Sequence, residues 1–435
     1  MPSNHLHCAV FCAVLALTAV PAWGDSAPQE HPRTETEQPL TADGLATWVL
    51  EANPGLAAIE AAAAAAAYRI DPAGSLDDPT LNYAVAPFTA SADRSLNQKF
   101  EFSQKIPWPG TLAAREAAAR HEAISADRDV DALRLRVIAQ AKSAYAEWCF
   151  VDDGLTIHHA THALLEELVA TTQTRYAAGR ALKQDVLQAE VELADLNNHL
   201  LQLLRQQATV QARINALLNR APDAPLPPAA QVTNRAVPPT LEALQRLALA
   251  QHPELAGLDA QVAANQSRVT LAEKAFYPSF QVGVGYNSLW DDTDKRPVFG
   301  VSINVPFDRS KRRSELNRAQ AETRRAQWSL TERRAELLSD LAQARAEVLE
   351  AQASVELYEN QLVPLAAEYL EAALTDYQSG SGAFLNVITA EQRKLRTDLS
   401  LARARADYVR RLAELERWVG GPINALRSPL SGEQP

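Results

Sequence analysis

The sequence predicts a mostly α-helical protein with a small β part, built as a tandem duplication. Three observations support this fold class. Aromatic residues make up only 6% of the 435 residues and glycine is scarce, a bias typical of long helices. Short segments that alternate apolar and polar residues occur in pairs. The same order of segments is present twice, so we expect long coiled-coil helical hairpins and four β-strands.

The N-terminal residues 1–24 have the composition of a secretory signal peptide. They contain no Lys, Arg, Asp or Glu, are apolar from 9 to 20, and end in the small-residue pattern Ala22-Trp23-Gly24. The apolar stretch is too short to cross a bilayer. We therefore predict cleavage after this segment, followed by an N-terminal extension over 25–40.

Cysteine content and charge limit the function classes. Cys8 and Cys12 lie in the signal segment, so the mature chain keeps only Cys149, which excludes an internal disulfide and a cysteine metal site. The net charge of −11 argues against nucleic acid and anionic lipid headgroups as partners. The mature sequence has no run of eighteen apolar residues, so insertion into a bilayer would require strands.

Two halves of the chain match at a nearly constant offset. The matched landmarks are Pro54 and Pro253, Pro79 and Pro278 (278 − 79 = 199), Pro107 and Pro306, and the Tyr-x-x-Gly turns that begin at Tyr176 and Tyr377 (377 − 176 = 201). This pattern predicts a first repeat over 41–220, a second over 240–425, a proline-rich linker over 221–239 and a tail over 426–435. Each repeat contains a helix, two strands and two long helices in that order.

The alternating segments predict strands at about 80–90, 97–107, 279–289 and 297–306. Each is about ten residues long, as a tilted strand needs to cross a bilayer. We predict that their apolar residues face lipid, namely Phe100, Phe102, Val282, Val284, Val301 and Ile303. Lys99, Glu101, Gln281 and Ser302 would then face a lumen. Four strands cannot enclose a lumen, so several chains must combine theirs.

The long helices are predicted from apolar residues at alternating three- and four-residue steps. A continuous helix from Thr111 to Tyr176 would measure about 100 Å at about 1.5 Å per residue. Gly179 predicts a left-handed cap before a partner helix that starts near Lys183, and Gly380 and Gly382 predict the same in the second half. Helix breaks are predicted at 152–154 and at Pro364.

The junction after the second strand reads Gln104-Lys-Ile-Pro107-Trp108-Pro109-Gly110. In this motif, in Pro306 of the second repeat and in the paired Tyr-x-x-Gly turns, the sequence resembles the outer membrane efflux protein family, which is TolC-like. The resemblance covers about 41–425. The Pro-Trp-Pro-Gly form is similar to the branch associated with heavy-metal exporters.

The resemblance implies a homotrimer whose twelve strands form one barrel in the outer membrane of a Gram-negative bacterium. The helices would form a hollow cylinder in the periplasm, which a periplasmic adaptor (membrane fusion) protein and an inner-membrane RND-type pump engage. Such a duct passively exports small molecules or metal ions, has no cofactor, contacts outer-membrane lipid and catalyses nothing.

The resemblance also implies that the hairpin tips form a gate. The tip residues are Tyr176, Gly179, Asp185, Tyr377, Gly380, Asn386 and Thr389. Family members can carry acidic residues after the second turn, whereas Asn386 and Thr389 are neutral. Asp185 is the nearest carboxylate in an equivalent place, either in a gate or as a charge that stabilises a helix start.

Enzyme motifs are absent from the sequence: it contains no glycine-rich phosphate loop, no nucleophile elbow and no His-Glu-x-x-His. His158, His159 and His162 lack a neighbouring cysteine or carboxylate, so we interpret them as packed or solvated residues. The alternative to a channel is a periplasmic coiled-coil adaptor or structural protein of an envelope assembly, which would leave the strands unexplained.

Overall fold

The computed structural model describes residues 39–86, 97–230, 238–288 and 293–423 of the chain. The predicted signal peptide and C-terminal tail lie outside these residues, as do most of the N-terminal extension and residues 231–237 of the linker. The described chain is mostly helical and has one four-stranded antiparallel sheet, which confirms the predicted fold class at this level.

The first half contains three short helices, two strands and two long helices. These are α1 (Ala42–Ala52), α2 (Pro54–Ala67), α3 (Ile70–Gly74), β1 (Thr80–Ala86), β2 (Asn97–Ile106), α4 (Thr111–Ala177) and α5 (Lys183–Leu217). Within the described residues the second half has the same order, except that it has no counterpart of α3 and that two helices, α8 and α9, take the place of α4. Its elements are α6 (Leu241–Gln251), α7 (Pro253–Lys274), β3 (Ser279–Asn287), β4 (Pro297–Asn304), α8 (Arg309–Leu357), α9 (Val363–Ser379) and α10 (Phe384–Val419).

The first half begins with three helices and the second with two, where one was predicted in each. Pro54 is the first residue of α2 and Pro253 the first of α7, and the residue before each proline is extended. Proline has no N–H to continue a helix and disfavours helical geometry in the preceding residue, but it fits the first helical turn. Each proline therefore ends one helix and starts the next.

The four strands form one sheet in the order β1-β2-β3-β4. Phe102 of β2 lies opposite Leu81 of β1 and Val284 of β3, and Val284 also lies opposite Phe299 of β4. Residues opposite each other in adjacent strands point to the same face, so this register aligns the apolar positions of all four strands. The β2–β3 pairing joins the two repeats directly.

Helix α4 runs without interruption through residues 152–154, so the break predicted there is wrong. Gly154 is buried, and a Cβ atom at this position would lie 3.1 Å from Cδ2 of Leu203 on α5. The glycine therefore permits a close approach of two packed helices, and this packing outweighs its weak helix propensity.

The break predicted at Pro364 is confirmed. Residues Tyr358–Leu362 form a π-helical turn between α8 and α9, which ends one residue before Val363-Pro364 becomes the first turn of α9. Pro364 cannot donate an i→i−4 hydrogen bond, and its ring would clash with the carbonyl of Asn360 in a regular helix. The wider π turn relieves the clash while the helical path continues.

The described part of the linker packs against α4 and the start of α1. Leu40 forms a parallel bridge with Ala229, the Tyr145 hydroxyl donates to the Ala230 carbonyl at 2.8 Å, and the Trp148 indole donates to the Pro227 carbonyl at 3.1 Å. These bonds anchor the connection between the repeats to the first of the long helices.

The helices bury three apolar clusters. One joins α6, α7, α8 and α10 around Leu337 and Tyr408, a second joins α1, α4 and α5 around Leu45 and Ile214, and a third joins the far ends of α4, α5, α9 and α10 around Leu165 and Phe384. Among the described residues, no helix is both long and apolar enough to cross a membrane.

Candidate functional site

One face of the sheet is apolar and exposed. It is formed by the odd-numbered residues of β1 and β4 and the even-numbered residues of β2 and β3. The six residues predicted to face lipid share this face, with exposed fractions from 40% at Val282 to 71% at Val301. The sheet thus carries a contiguous exposed apolar surface. A surface of this kind is normally covered by lipid or by another protein.

The opposite face of the sheet is polar. Lys99, Glu101, Gln281 and Ser302 lie on it, as the alternation predicts. Lys99 Nζ is 2.8 Å from Glu101 Oε2, and Gln281 Nε2 donates to the Ser103 hydroxyl at 2.9 Å. A shallow cleft of about 350 Å³ runs along these side chains.

Glycines keep the polar face shallow. Gly283, Gly285 and Gly300 alternate with apolar residues and point to this face. A Cβ atom at Gly285 would lie only 2.9 Å from the carbonyl oxygen of Phe100 on the adjacent strand. A larger residue there would push β2 and β3 apart, so glycine is required for the close strand contact.

The junction after β2 is held by aromatic stacking across the two repeats. Trp108 stacks on Tyr277 at 4.8 Å between ring centroids and lies 6.2 Å from Phe280 of β3. Gly110 adopts φ 82° as the N-cap of α4, a left-handed conformation that favours glycine. The Pro107 to Gly110 motif therefore fixes the direction in which α4 leaves the sheet.

At the equivalent junction after β4, the aromatic residue is exposed to solvent. Phe307, which follows Pro306, is 89% exposed. Asp308 caps α8 by accepting a hydrogen bond from the Lys311 amide at 2.9 Å. The second junction thus starts its helix with a side-chain cap where the first has a left-handed glycine, and it leaves its aromatic residue without the cover that Trp108 has.

Left-handed glycines end the long helices, as predicted for Gly179 (φ 68°) and Gly380 (φ 82°). Helix α5 starts at Lys183, also as predicted. The same prediction for Gly382 is wrong, because its φ is not positive. A Cβ atom on Gly382 would lie 2.8 Å from the Asp376 Cβ, so this glycine serves a close contact within the turn.

The two turns lie at the same end of the helices and touch. Arg175 donates a hydrogen bond to the carbonyl of Tyr377 at 2.8 Å, and its guanidinium lies 4.5 Å from the centre of the Tyr377 ring. Tyr377 also packs against Phe384 at 5.2 Å. The sequence analysis did not identify Arg175, although it precedes the first Tyr-x-x-Gly turn where the second repeat has Asp376.

The predicted gate residues mostly serve the turns and helix starts. The Asp185 carboxylate accepts a hydrogen bond from the Leu182 amide at 3.2 Å, and the Thr389 hydroxyl donates to the Leu385 carbonyl at 2.8 Å. Tyr176 is exposed. Asp185 therefore stabilises the start of α5, and its half-buried side chain keeps contact with solvent.

Glu391 is a buried carboxyl group near the second turn that the sequence analysis missed. It is 2% exposed, and neither of its oxygens has a hydrogen-bond partner among the described residues. Burial, with a smaller contribution from the charge of Glu192, raises the pKa of Glu391 to about 7. The local sequence around Glu391 resembles that around Glu190, its exposed counterpart in the first repeat, so no sequence signal marks it as buried.

Of the three histidines predicted to be packed or solvated, His158 lines a cavity of about 1000 Å³ between α4, α5, α8 and α10. His158 is buried, its Nε2 lies 3.1 Å from the Leu196 carbonyl, and burial lowers its pKa. His162 is 3.5 Å from the Glu166 carboxylate, so the expectation of no neighbouring carboxylate is wrong. In the described ranges, no three His, Cys, Asp or Glu side chains are placed to bind a metal together.

Comparison with known proteins relates this chain to one family. The sequence profile described as outer membrane efflux protein matches residues 45–220 and 244–421. The pyoverdine export outer membrane protein OpmQ of Pseudomonas aeruginosa is 26% identical over 252 residues, which cover 55% of this chain and 50% of OpmQ. The chain thus aligns with about half the length of this curated relative.

Solved structures share the fold. The outer-membrane channel OprN superposes with a TM-score of 0.76 at 18% identity, covering 88% of this chain and 90% of OprN. The outer membrane protein VceC of Vibrio cholerae has a TM-score of 0.74 at 21% identity, covering 88% of this chain and 96% of VceC. The likeness thus extends over most of both chains.

Proposed function

This chain belongs to the outer membrane efflux protein family, and from that membership we propose that it is the exit duct of a tripartite efflux system. It is an outer-membrane efflux protein and not an enzyme. In the proposed assembly, three copies form one twelve-stranded barrel in the outer membrane, and their long helices form a hollow cylinder in the periplasm. An inner-membrane RND-type pump delivers cargo through a periplasmic adaptor.

The observation that carries this proposal is the sheet with one exposed apolar face and one polar face. A sheet in lipid can leave no backbone edge unpaired, because hydrocarbon offers no hydrogen-bond partners. Four strands are too few to close around a lumen, whereas twelve strands from three chains form a barrel of sufficient width. A trimer thus satisfies both requirements.

The polar face would line the pore. Lys99, Glu101, Gln281 and Ser302 supply charged and hydrogen-bonding groups, and the adjacent glycines leave the pore wall free of bulk. Such a wall suits hydrated cargo. We propose small polar molecules or metal ions as this cargo, and the Pro-Trp-Pro-Gly resemblance favours heavy-metal ions.

The paired turns would form the periplasmic mouth, at about 100 Å from the sheet by the rise of α4. Three copies of Asp185 would meet there and attract cations, while the neutral Asn386 and Thr389 add no charge. An adaptor that contacts these turns would open the mouth by moving one hairpin relative to another.

A periplasmic adaptor is the second function that long helical hairpins could serve. An adaptor works in water and has no use for an apolar sheet face whose side chains are up to 83% exposed, as at Phe299. The same face fits the hydrocarbon core of a bilayer. The duct is therefore the better supported function.

Membrane fractionation and single-channel recording test the proposal. The full chain, expressed in a Gram-negative host, should sediment with the outer membrane and migrate on unheated gels as an oligomer that boiling dissociates. The purified oligomer should conduct ions across planar bilayers. Recovery in the soluble periplasmic fraction, or an oligomer that inserts without conducting, would contradict the proposal.

A further inference from the structure

The second strand–helix junction is strongly basic, which the passage of cargo through a duct does not require. The first five residues of α8 include four cations, namely Arg309, Lys311, Arg312 and Arg313. We call these four residues the basic run. The equivalent residues of the first repeat, 110–114 at the offset of 199, carry no charge. The basic run is therefore a property of one junction and not of the duplicated fold.

The excess of positive charge continues into the next turns of α8. Residues 309–325 contain seven Lys or Arg and two Glu, a net charge of +5, whereas residues 110–126 contain two of each and are neutral overall. The whole chain carries −11. Charges on a surface act mainly within a Debye length of about 10 Å, so this local excess decides what the junction attracts.

Three cations of the basic run have no partner among the described residues. Arg309, Lys311 and Arg313 are exposed, and their side chains form no hydrogen bond or ion pair within this part of the chain. Arg312 is half-buried and lies 3.0 Å from Glu315. Asp308 accepts a hydrogen bond from the Lys311 amide and so caps the helix. The exposed charge therefore belongs to the side chains and not to free backbone amides.

The basic run directly follows an exposed apolar row. The odd-numbered residues of this row are all at least 46% exposed, namely Phe299, Val301, Ile303, Val305 and Phe307. From Phe299 to Phe307 an extended chain covers at most about 26 Å, or about 20 Å across the bilayer at a strand tilt of about 40°. The apolar band of an outer-membrane barrel is about 25 Å tall. In a membrane, Phe307 would thus lie near the hydrocarbon boundary and the basic run among the headgroups.

Aromatic residues at the same end of the sheet support this level. Trp108 stacks on Tyr277, which is 50% exposed. Aromatic girdles occur at the boundary between hydrocarbon and water in membrane barrels. The first junction also places one cation there, because Lys274 Nζ lies 6.0 Å from the centre of the Tyr277 ring. Both junctions thus combine aromatic and basic side chains, and the second has the larger charge.

We propose that the basic run binds the phosphate groups of anionic phospholipids in the periplasmic leaflet, while Phe307 enters the adjoining hydrocarbon. The inference rests on the proposed function, because it needs the sheet to lie in the membrane. Each Lys or Arg near an anionic membrane surface strengthens binding by about fivefold. Arginine can also bond two phosphate oxygens at once. Three unpartnered cations within five residues therefore favour anionic over zwitterionic headgroups.

Acidic residues of a neighbouring protomer are the competing partner. Asp77 and Asp78 are exposed and precede β1 at the same end of the sheet. Asp77 already lies 3.9 Å from Arg115 of its own chain. Two carboxylates, one of them engaged, would leave part of the positive charge unmatched, whereas lipid phosphates surround the whole rim of a barrel. Lipid is therefore the better match for three cations.

Spin-labelled lipids test the proposal on the full-length oligomer, reconstituted in phosphatidylcholine vesicles. Electron paramagnetic resonance should show that the protein selects labelled phosphatidylglycerol over labelled phosphatidylcholine by about threefold or more at low salt. Salt at about 0.5 M should weaken this preference by screening. Arg309→Gln combined with Arg313→Gln should remove at least about half of the preference.

The matched control combines Arg324→Gln with Arg325→Gln. It also removes two exposed cations from α8, but 15 residues further along, about 22 Å from Arg309. This variant should keep the preference of the wild type. In detergent without lipid, the Arg309→Gln and Arg313→Gln oligomer should dissociate at the same temperature as the wild type. Earlier dissociation would assign the basic run to a neighbouring protomer and overturn the proposal.

Two further outcomes would also overturn the lipid site: no preference in the wild type, or an equal loss of preference in both double variants. If the Arg309→Gln and Arg313→Gln double variant does not assemble, Arg309→Gln and Lys311→Gln are measured singly, and each must lower the preference. All these results leave the duct intact while the oligomer conducts ions in planar bilayers. An oligomer that does not conduct would instead contradict the proposed function.

Discussion

At the scale of single residues, the sequence analysis missed side chains whose roles depend on neighbours that are distant in the chain but close in the fold. Glu391 directly follows Ala390 of the third apolar cluster and is buried, and its carboxyl group has no hydrogen-bond partner among the described residues. No local pattern distinguishes it from Glu190, because burial depends on helices far away in the chain. Arg175 went unrecognised for the same reason.

The burial of Glu391 makes stability depend on pH. Its pKa is about 7 in the folded chain and about 4.5 in the unfolded chain, so the folded state holds this proton longer. The contribution of the protonated Glu391 carboxyl group to the free energy of unfolding is fully present below about pH 4.5. It is lost as the pH rises towards 7. We expect Glu391→Gln to raise the unfolding free energy by up to about 3 kcal/mol at pH 8 and far less at pH 5.

Urea unfolding of the detergent-solubilised protein at both pH values measures this effect. Glu190→Gln is the matched control, because it removes an exposed carboxylate at the equivalent place, one that accepts a bond from Gln173 at 3.2 Å. It should change stability equally at both pH values. Equal effects of Glu391→Gln at pH 5 and pH 8 would show that Glu391 is not buried in solution.

At the scale of elements, strands and long helices followed from residue periodicity, and their observed limits lie within about two residues of the predictions. Residues 87–90 and 289 of the predicted strands lie outside the described part of the chain. The alternation is visible because most residues on one face of each strand are apolar. The break predicted at 152–154 was wrong, because α4 continues through Gly154, which packs closely against Leu203. Pro364 was predictable because its missing N–H acts within its own helix.

The two sheet faces predict opposite effects for the same substitution on β4. Val301→Arg places a charge on the apolar face and should destabilise the barrel by about 2–4 kcal/mol if the site lies near the bilayer midplane. Ser302→Arg places it on the polar face and should cost far less. Unfolding from lipid vesicles measures both, and equal losses would contradict the assignment of the faces.

The contact between the turns predicts a local effect of Arg175. Arg175→Ala removes a hydrogen bond from a charged donor and a cation–π contact with Tyr377, which should weaken the closed pairing of the turns by about 1.5–3 kcal/mol. Hydrogen exchange of the amides in 376–382 should accelerate accordingly. Arg180→Ala, on the exposed part of the same turn, serves as the control and should leave this exchange unchanged.

At the scale of the whole molecule, the duplication was the most informative feature of the sequence. Matched landmarks in both halves predicted the order of elements and the position of both turns at one end. The joints between repeats were not predictable, since the pairing of β2 with β3 depends on two segments that are about 180 residues apart and on no local pattern.

Ion conduction by the assembled channel tests the role of Asp185. We expect Asp185→Ala to lower the cation-to-anion permeability ratio by a factor of about two or more at low salt, because three carboxylates would leave the mouth. Asp152→Ala, in the middle of α4, should leave the ratio unchanged. An unaltered ratio in Asp185→Ala would restrict Asp185 to its bond with the Leu182 amide at the start of α5.

Because α4 is continuous, a small change of angle at the Gly110 junction produces a large displacement at the other end of the helix. A helix of 67 residues extends about 100 Å, so a rotation of about 3° where it leaves the sheet would displace its far end by about 5 Å, roughly the diameter of a hydrated pathway for small ions. The angle at which α4 leaves the sheet therefore affects the position of its far end more than an equal bend anywhere else along the helix. The stacked Trp108 and Tyr277 rings and the prolines beside them set that angle, at the opposite end of α4 from the proposed mouth.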